Sequence, residues 1–431
     1  MNTKPSGKIG HSPFVTKFPV FYGWVIMAVG TLGLTMTSPG QTYAVSIFIE
    51  HFITDLGISR SVVSTLYSVA TLVASLTLPF VGRLFDRWGA RAIVTLVSAL
   101  FGLACLFMGL IENVVMLGIG FFAIRLLGQG SLMITCSSAI NQWWVVRRGT
   151  VMGISGSIVA LLGVGITPNL VHWVISVSNW QMAYFSFGFV LLFVLTPLVW
   201  GFLRDRPEKY GLKPDGIKNT PGKDDFNQQL ANEEHWTLAE VLRSSTYWIL
   251  TLGQGVIWML YTGQFFHMVS IIEDNGLPGD VAAVVYVPIA VVTAITILGS
   301  GIIIDRVSVK FLVVASLFLQ MVSLPLAMFL NGVEMAYFYG VVLGMISGSS
   351  RIIVEVVWAK YFGRKHLGAI AGFTGAFLAG SSALGPMPMG IARDVMGSYE
   401  AAFYVLAILP LVLGIVSFFL KKPQKREIVE A

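Results

Sequence analysis

The chain has 431 residues, 55% of them apolar and only 12% charged, with 45 glycines; a soluble domain carries about twice that share of charge. Mean hydropathy is +0.77, more apolar surface than a water-soluble body of this size could hide, so lipid is the solvent for most of the chain. The formal charge of +6 and a pI near 9.2 do not indicate nucleic acid, because Lys and Arg fall in short loops between apolar runs.

Apolar runs predict twelve membrane-spanning helices near 22–49, 60–81, 91–112, 115–140, 149–172, 180–203, 245–271, 281–304, 310–330, 336–362, 368–391 and 401–420. Residues 1–21 carry Lys4, Lys8 and Lys17 without a hydrophobic signal core, so the first span is expected to act as its own insertion signal and the arm to stay in the cytoplasm. Six spans (22–203) precede a polar stretch at 204–244 and six (245–420) follow it; 421–431 is a basic tail. The polar stretch reads as a cytoplasmic linker with an amphipathic piece, Trp236 to Leu242, at the membrane interface. All but four of the 28 Lys and Arg lie on one side of this arrangement. Arg60 and Arg393 lie on the other side, and Arg125 and Arg351 lie inside spans. Such an asymmetry places both termini in the cytoplasm of a multi-pass protein of the cytoplasmic membrane. Cys105 and Cys136 sit in apolar stretches without a Cys/His cluster, so no metal, disulfide or cofactor is expected.

The sequence also repeats itself. Gly82-Arg-Leu-Phe-Asp86-Arg87 returns as Gly301-Ile-Ile-Ile-Asp305-Arg306, and Trp180-Gln-Met-Ala-Tyr184 as Tyr399-Glu-Ala-Ala-Phe403. Pro168 is answered by Pro388, and Arg125-x-x-x-Gln129 by Arg351-x-x-x-Glu355. A duplicated six-helix unit follows from these landmarks. With Gly82-Arg-Leu-Phe-Asp86-Arg87-Trp-Gly89-Ala-Arg91 as a loop signature, Arg125 with Gln129-Gly130, and Gly156, Gly163, Gly165 and Pro168 in the fifth span, the chain resembles the major facilitator superfamily over essentially its whole length. Tyr22-Gly23-Trp24, Gly57-Ile-Ser-Arg60, Arg-Arg-Gly at 147–149 and Arg204-Asp-Arg-Pro207 resemble its monocarboxylate-porter and oxalate/formate-antiporter branch. The resemblance implies an all-α membrane fold of two pseudo-symmetric six-helix bundles that rock about a midplane site. It also implies a cytoplasmic latch at Gly82, Asp86, Arg87, Arg91, Gly301, Asp305 and Arg306. A substrate Arg expected in the eighth helix of that branch has no counterpart, because 281–304 contains no Arg or Lys.

A charge at the bilayer centre costs roughly 2.5–3.5 kcal/mol on insertion scales, so Arg125, Arg351 and Glu355 are expected to face the bundle interior. Arg351 and Glu355 stand at i,i+4 on one helix face. One reading has Arg351 gripping a substrate carboxylate while Glu355 titrates with a coupling proton; the other has the two as a permanent packing pair. Arg125, with Gln129, is expected to serve either a structural network or the substrate. Thr37-Ser-Pro-Gly-Gln41-Thr-Tyr43 breaks the first span at mid-depth, which is tolerated where a helix lines a cavity, so Gln41 and Tyr43 join the candidates. The seventh span adds Gln254, Trp258, Tyr261 and Gln264, the last three on one face. His267 and His172 are expected near the outer membrane interface.

Two buried cations against one carboxylate favour an anionic ligand. The expected protein is a secondary transporter of a small organic anion, a mono- or dicarboxylate, by proton symport or exchange. A proton-driven exporter of amphipathic compounds is the alternative. No nucleotide loop, zinc helix or nucleophile elbow occurs, so neither ATP nor enzyme chemistry is expected. The partners are the substrate anion, a proton and the lipid bilayer; oligomeric state is not legible.

Overall fold

A computed structural model describes Val15, residues 18–144, 147–216, 236–306, 308–362 and 367–421, and Pro423. Regular structure among these residues is all helical. Nine described helices are long and apolar enough to cross a membrane, and a tenth crossing is the bent pair Ser245–Phe266 and Met268–Asp274, which meet at 65°. The remaining expected spans are interrupted. The first is divided into Gly23–Thr35, Ser38–Gly40, Thr42–Val45, Ser46–Phe48 and Ile49–Leu56, and the eleventh into Leu367–Ala383 and Pro386–Met396. The twelve apolar runs therefore all become helix, nine unbroken.

Element boundaries carry the duplication more sharply than the motifs do. Helices starting at Ala90, Val114 and Arg148 are answered by helices starting at Val309, Val333 and Leu367, each 219 residues on. Arg60 and Trp180 are answered by Asp280 and Glu400 at 220. Gly57 and Gly276, both left-handed at φ 61° and 77°, end the outer pieces of the first and seventh spans, again 219 apart. In this frame one expectation needs correction. The fourth and tenth spans, Val114–Trp143 and Val333–Phe362, are both 30 residues long and match at both ends. Arg125 is then the positional counterpart of Gly344, and Arg351, at an offset of 226, sits about two turns further along its helix. The paired Arg-x-x-x-Gln and Arg-x-x-x-Glu motifs are not equivalent positions.

The chain falls into two compact units, one of residues 1–41, 77–163 and 174–221, the other of 42–76, 164–173 and 222–431. In the first, Trp144 Nε1 donates to the Gly23 carbonyl at 3.2 Å, the Tyr22 hydroxyl donates to Phe202 O at 2.7 Å, and Thr31 and Ser155 share a bond of 2.7 Å. In the second, Gly340, Gly344 and Gly348 form a stripe at i,i+4 spacing. Added Cβ atoms there would meet the Val285, Ile289 and Thr293 carbonyls at 3.0, 2.8 and 2.9 Å, so the helix at 280–306 lies directly on this stripe. The piece expected at the membrane interface, Trp236 to Leu242, is anchored within its own unit. Its helix, Leu238–Leu242, starts with a Thr237/Glu240 capping box, and Trp236, 9% exposed, packs on Phe362 with ring centres 5.7 Å apart.

Candidate functional site

Two helix breaks meet around Arg125. Pro39 and Gly40 end the first helical piece in a 3-10 turn, after which Gln41 is extended. Opposite them residues Arg125–Leu132 form a π-helical turn, a wide turn that recurs at functional positions. Arg125, 2% exposed, donates from Nη1 to the Gly40 carbonyl at 3.0 Å, an acceptor released by the broken helix. A side chain at Gly40 would strike the Ile124 carbonyl, with Gln129 N at 3.1 Å. Gln41 turns back to Thr37 Oγ1 at 3.1 Å, and the half-buried Gln129 keeps Oε1 without a hydrogen-bond partner among the described residues.

A second polar group gathers around Arg351. The Tyr261 hydroxyl lies near Ser347, one turn before Arg351 on the tenth span, and within reach of the charge of Arg351 and the hydroxyl of Tyr43. Arg351 is half-buried and has no carboxylate or hydrogen-bond partner among the described residues. The side chain of Glu355 lies outside the described residues. A guanidinium flanked by hydroxyl donors can hold a planar oxyanion through paired charge-assisted hydrogen bonds.

The seventh span divides its expected residues. Trp258 and Tyr261 are half-buried. Gln264, expected on the same wall, is instead wholly buried in a polar knot. It donates to Tyr339 Oη at 3.0 Å and Ser323 O at 3.2 Å, and accepts from Gln320 Nε2 at 2.8 Å. Packing of its two flanking helices, the ninth and tenth spans, satisfies it and leaves nothing for a ligand. Gln254 is also fully buried, accepting from Ser350 Oγ at 2.6 Å while its Nε2 has no hydrogen-bond partner among the described residues.

Of the expected cytoplasmic latch, the side chains of Asp86, Gly301, Asp305 and Arg306 lie outside the described residues. Arg87 is exposed, and a Cβ at Gly82 would meet nothing within 4 Å among the described residues. Arg91 is held within its own unit. Its Nε donates to Trp200 O at 2.8 Å, its guanidinium lies 4.1 Å from the Trp200 ring, and its backbone N–H donates to Asp205 at 3.2 Å.

A polar cluster in the second unit was not among the expectations. It joins 42–76 and 164–173 to the helices after 245, on the side that holds Arg60 and Arg393. Both of those arginines are paired, Arg60 with Glu50 at 2.5 Å and Arg393 with Asp274 at 2.7 Å. Asp394 accepts from the Ser61 backbone N–H at 2.7 Å. Burial raises the Asp394 carboxyl, but hydrogen bonds from the Ser61 hydroxyl and backbone and from Ser59 outweigh it and hold the group below its ordinary value. Deeper, Ser46 bonds Tyr286 at 2.8 Å, Thr42 bonds Tyr67 at 2.8 Å, and Asn169 donates to Ala283 O at 2.8 Å. His267, expected at the interface, is wholly buried at the bend of the seventh span, donating to Pro386 O at 2.9 Å and meeting the Tyr399 hydroxyl at 3.2 Å.

These features define a multi-pass helical membrane protein with cations and hydroxyls inside its spans. The sequence model of the Major Facilitator Superfamily matches residues 31–386 and 270–431, and the chain belongs to that family. It is 30% identical over 130 residues to a probable sulfoacetate transporter of Cupriavidus necator, covering 30% of each chain. It is 22% identical over 231 residues to the oxalate:formate antiporter of Oxalobacter formigenes, covering 53% of this chain and 50% of that one. The chain thus matches half or less of the length of these relatives. Its fold is shared with a bacterial homologue of the human lysosomal transporter Spinster, solved in an inward-facing, occupied conformation. The TM-score is 0.66 at 14% identity, over 97% of this chain and all of that one.

Proposed function

We propose that the protein is a secondary active transporter of a small organic anion, with Arg351 as the group that grips the anion. The observation that carries this is Arg351 itself, a half-buried guanidinium inside a membrane span, beside the Tyr261–Ser347 hydroxyl pair and without a carboxylate partner among the described residues. A permanent cation in a span is kept against a cost of several kcal/mol only where something offsets it, and a translocated anion does so. Relatives described as carrying sulfoacetate, and oxalate with formate, support a substrate that presents a planar or tetrahedral oxyanion on a small carbon skeleton.

In this reading Tyr43, Tyr261 and Ser347 orient the oxyanion by hydrogen bonds, and Trp258 walls the path. Arg125 and Gln129 brace the broken first span. Glu355, at the i+4 position from Arg351, is the site of proton coupling. Residues 22–203 and 245–420 act as the two halves that exchange access, linked by 204–244, with 82–91 and 301–306 as the cytoplasmic latch and both termini in the cytoplasm. The Asp394 cluster is the seal at the other membrane face. Chemistry on the substrate is not required: the chain binds, orients and releases it.

Purified protein in liposomes should take up labelled oxalate, formate, sulfoacetate or a related acid saturably, driven by a proton gradient or by the counter-anion. If none of these acids is carried and a neutral amphipath is, the anion reading fails.

A further inference from the structure

The ninth and twelfth spans, Val309–Leu326 and Glu400–Phe418, leave an apolar groove on their outward side. Its cavity is about 310 Å³, lined by Val314, Phe318 and Met321 on one helix and Gly414, Ile415 and Phe418 on the other. On the ninth span these residues stand at i, i+4 and i+7, and on the twelfth Gly414 and Ile415 each lie about one turn before Phe418, so each set faces the groove. At Gly414 the groove floor has no side chain, and a Cβ there would just reach Leu317 at 3.8 Å. Phe318, Ile415 and Phe418 are more than half exposed, as befits a surface whose solvent is lipid. One end of the groove is basic. Lys310 Nζ lies 5.1 Å from the Phe311 ring centre and 5.7 Å from that of Phe418, a groove residue. Lys310 has no carboxylate partner among the described residues, and Lys421 follows the last turn of the twelfth helix and is exposed.

We propose that this groove is a binding site for an anionic phospholipid, with an acyl chain along Val314, Phe318, Gly414 and Phe418 and the headgroup phosphate between Lys310 and Lys421. The groove runs along two membrane spans, where acyl chains are the molecules at hand, and its single basic end meets the depth of a headgroup. A second copy of the chain fits less well, because a two-fold contact through this groove would bring Lys310 towards its own symmetry mate. The site stands apart from Arg351 and does not depend on the transport reading.

Native mass spectrometry of the delipidated full-length protein, titrated with phosphatidylglycerol or phosphatidylcholine of the same acyl chains, tests this. Phosphatidylglycerol adducts should form at about thirtyfold lower lipid concentration, the preference that two surface lysines confer. Lys310→Gln with Lys421→Gln should abolish that preference while phosphatidylcholine binding persists, and Gly414→Phe should reduce binding of both lipids. Melting temperature without added lipid identifies any variant that has simply lost its fold. Equal binding of the two lipids, or a preference that survives the double lysine change, would overturn the proposal. So would a dimer that Gly414→Phe converts to monomer without change in lipid binding.

Discussion

The fourth and tenth spans begin and end in the same register of the duplicated chain, yet they are used differently. Val114–Trp143 contains a π-turn, and its Arg125 is 2% exposed and bonded to the Gly40 carbonyl. Val333–Phe362 is an unbroken α-helix. Where Arg125 would fall, it has Gly344 pressed against the Ile289 carbonyl, and its cation comes two turns later, half-buried beside hydroxyls. Duplication conserved the scaffold and freed the charge. In the fourth span the arginine braces a broken neighbour, and in the tenth it is the group for which we propose the anion.

The comparison is broken most severely at Arg351. Arg351→Gln should weaken the apparent affinity for the transported anion by about 30-fold or more, the loss of about 2 kcal/mol of charge-assisted hydrogen bonding. Arg351→Lys should recover only part of it, because an ammonium lacks the fork. Uptake against substrate concentration in liposomes reads both. Gly40→Ala should act on stability instead, destabilising the fold by about 1–3 kcal/mol through overpacking against Ile124, and Arg125→Gln by a similar amount through the orphaned Gly40 carbonyl. Melting in detergent would drop for both, with affinity in the surviving protein nearly unchanged; a selective loss of affinity in Arg125→Gln would assign that arginine to the substrate. Gln264→Leu should cost about 1–2 kcal/mol by leaving Tyr339 and Gln320 short of partners, without altering which acids are carried.

The smallest effect is expected at the seal. Asp394→Asn should expose a cysteine placed at Ser64 to membrane-impermeant thiol reagents a fewfold faster, for a loss of about 0.5–1 kcal/mol. Because the Asp394 carboxyl is held below its ordinary value of 3.8, its contribution is complete above that value and is lost only as pH falls through the lower native one. Labelling should therefore be flat between about pH 5 and 8. A labelling rate that climbs as pH falls from 8 to 5 would show that another group controls the seal.

Periodicity and charge placement made most of the fold legible. The twelve apolar runs, the paired landmarks and the break at Pro39–Gly40 each follow from a local rule. The site was only partly legible, because helical spacing says which residues share a face but not which neighbour covers it. Trp258, Tyr261 and Gln264 are spaced alike, and only packing against Gln320 and Tyr339 removes Gln264 from the wall. The burial of His267 is not legible, because the 65° bend at that residue leaves no mark in hydropathy. The stripe Gly340, Gly344, Gly348 was readable from i,i+4 spacing alone, and it shows why residue 344 could not carry the second arginine.

The central claim is that Arg351 holds the transported anion, and ligand-induced thermal stabilisation of purified protein tests it most directly. Wild-type protein should melt at a temperature that rises saturably with an acid it carries, whereas Arg351→Gln should melt at the wild-type baseline and show no rise over the same concentrations. An equal, saturable rise in Arg351→Gln would contradict the account.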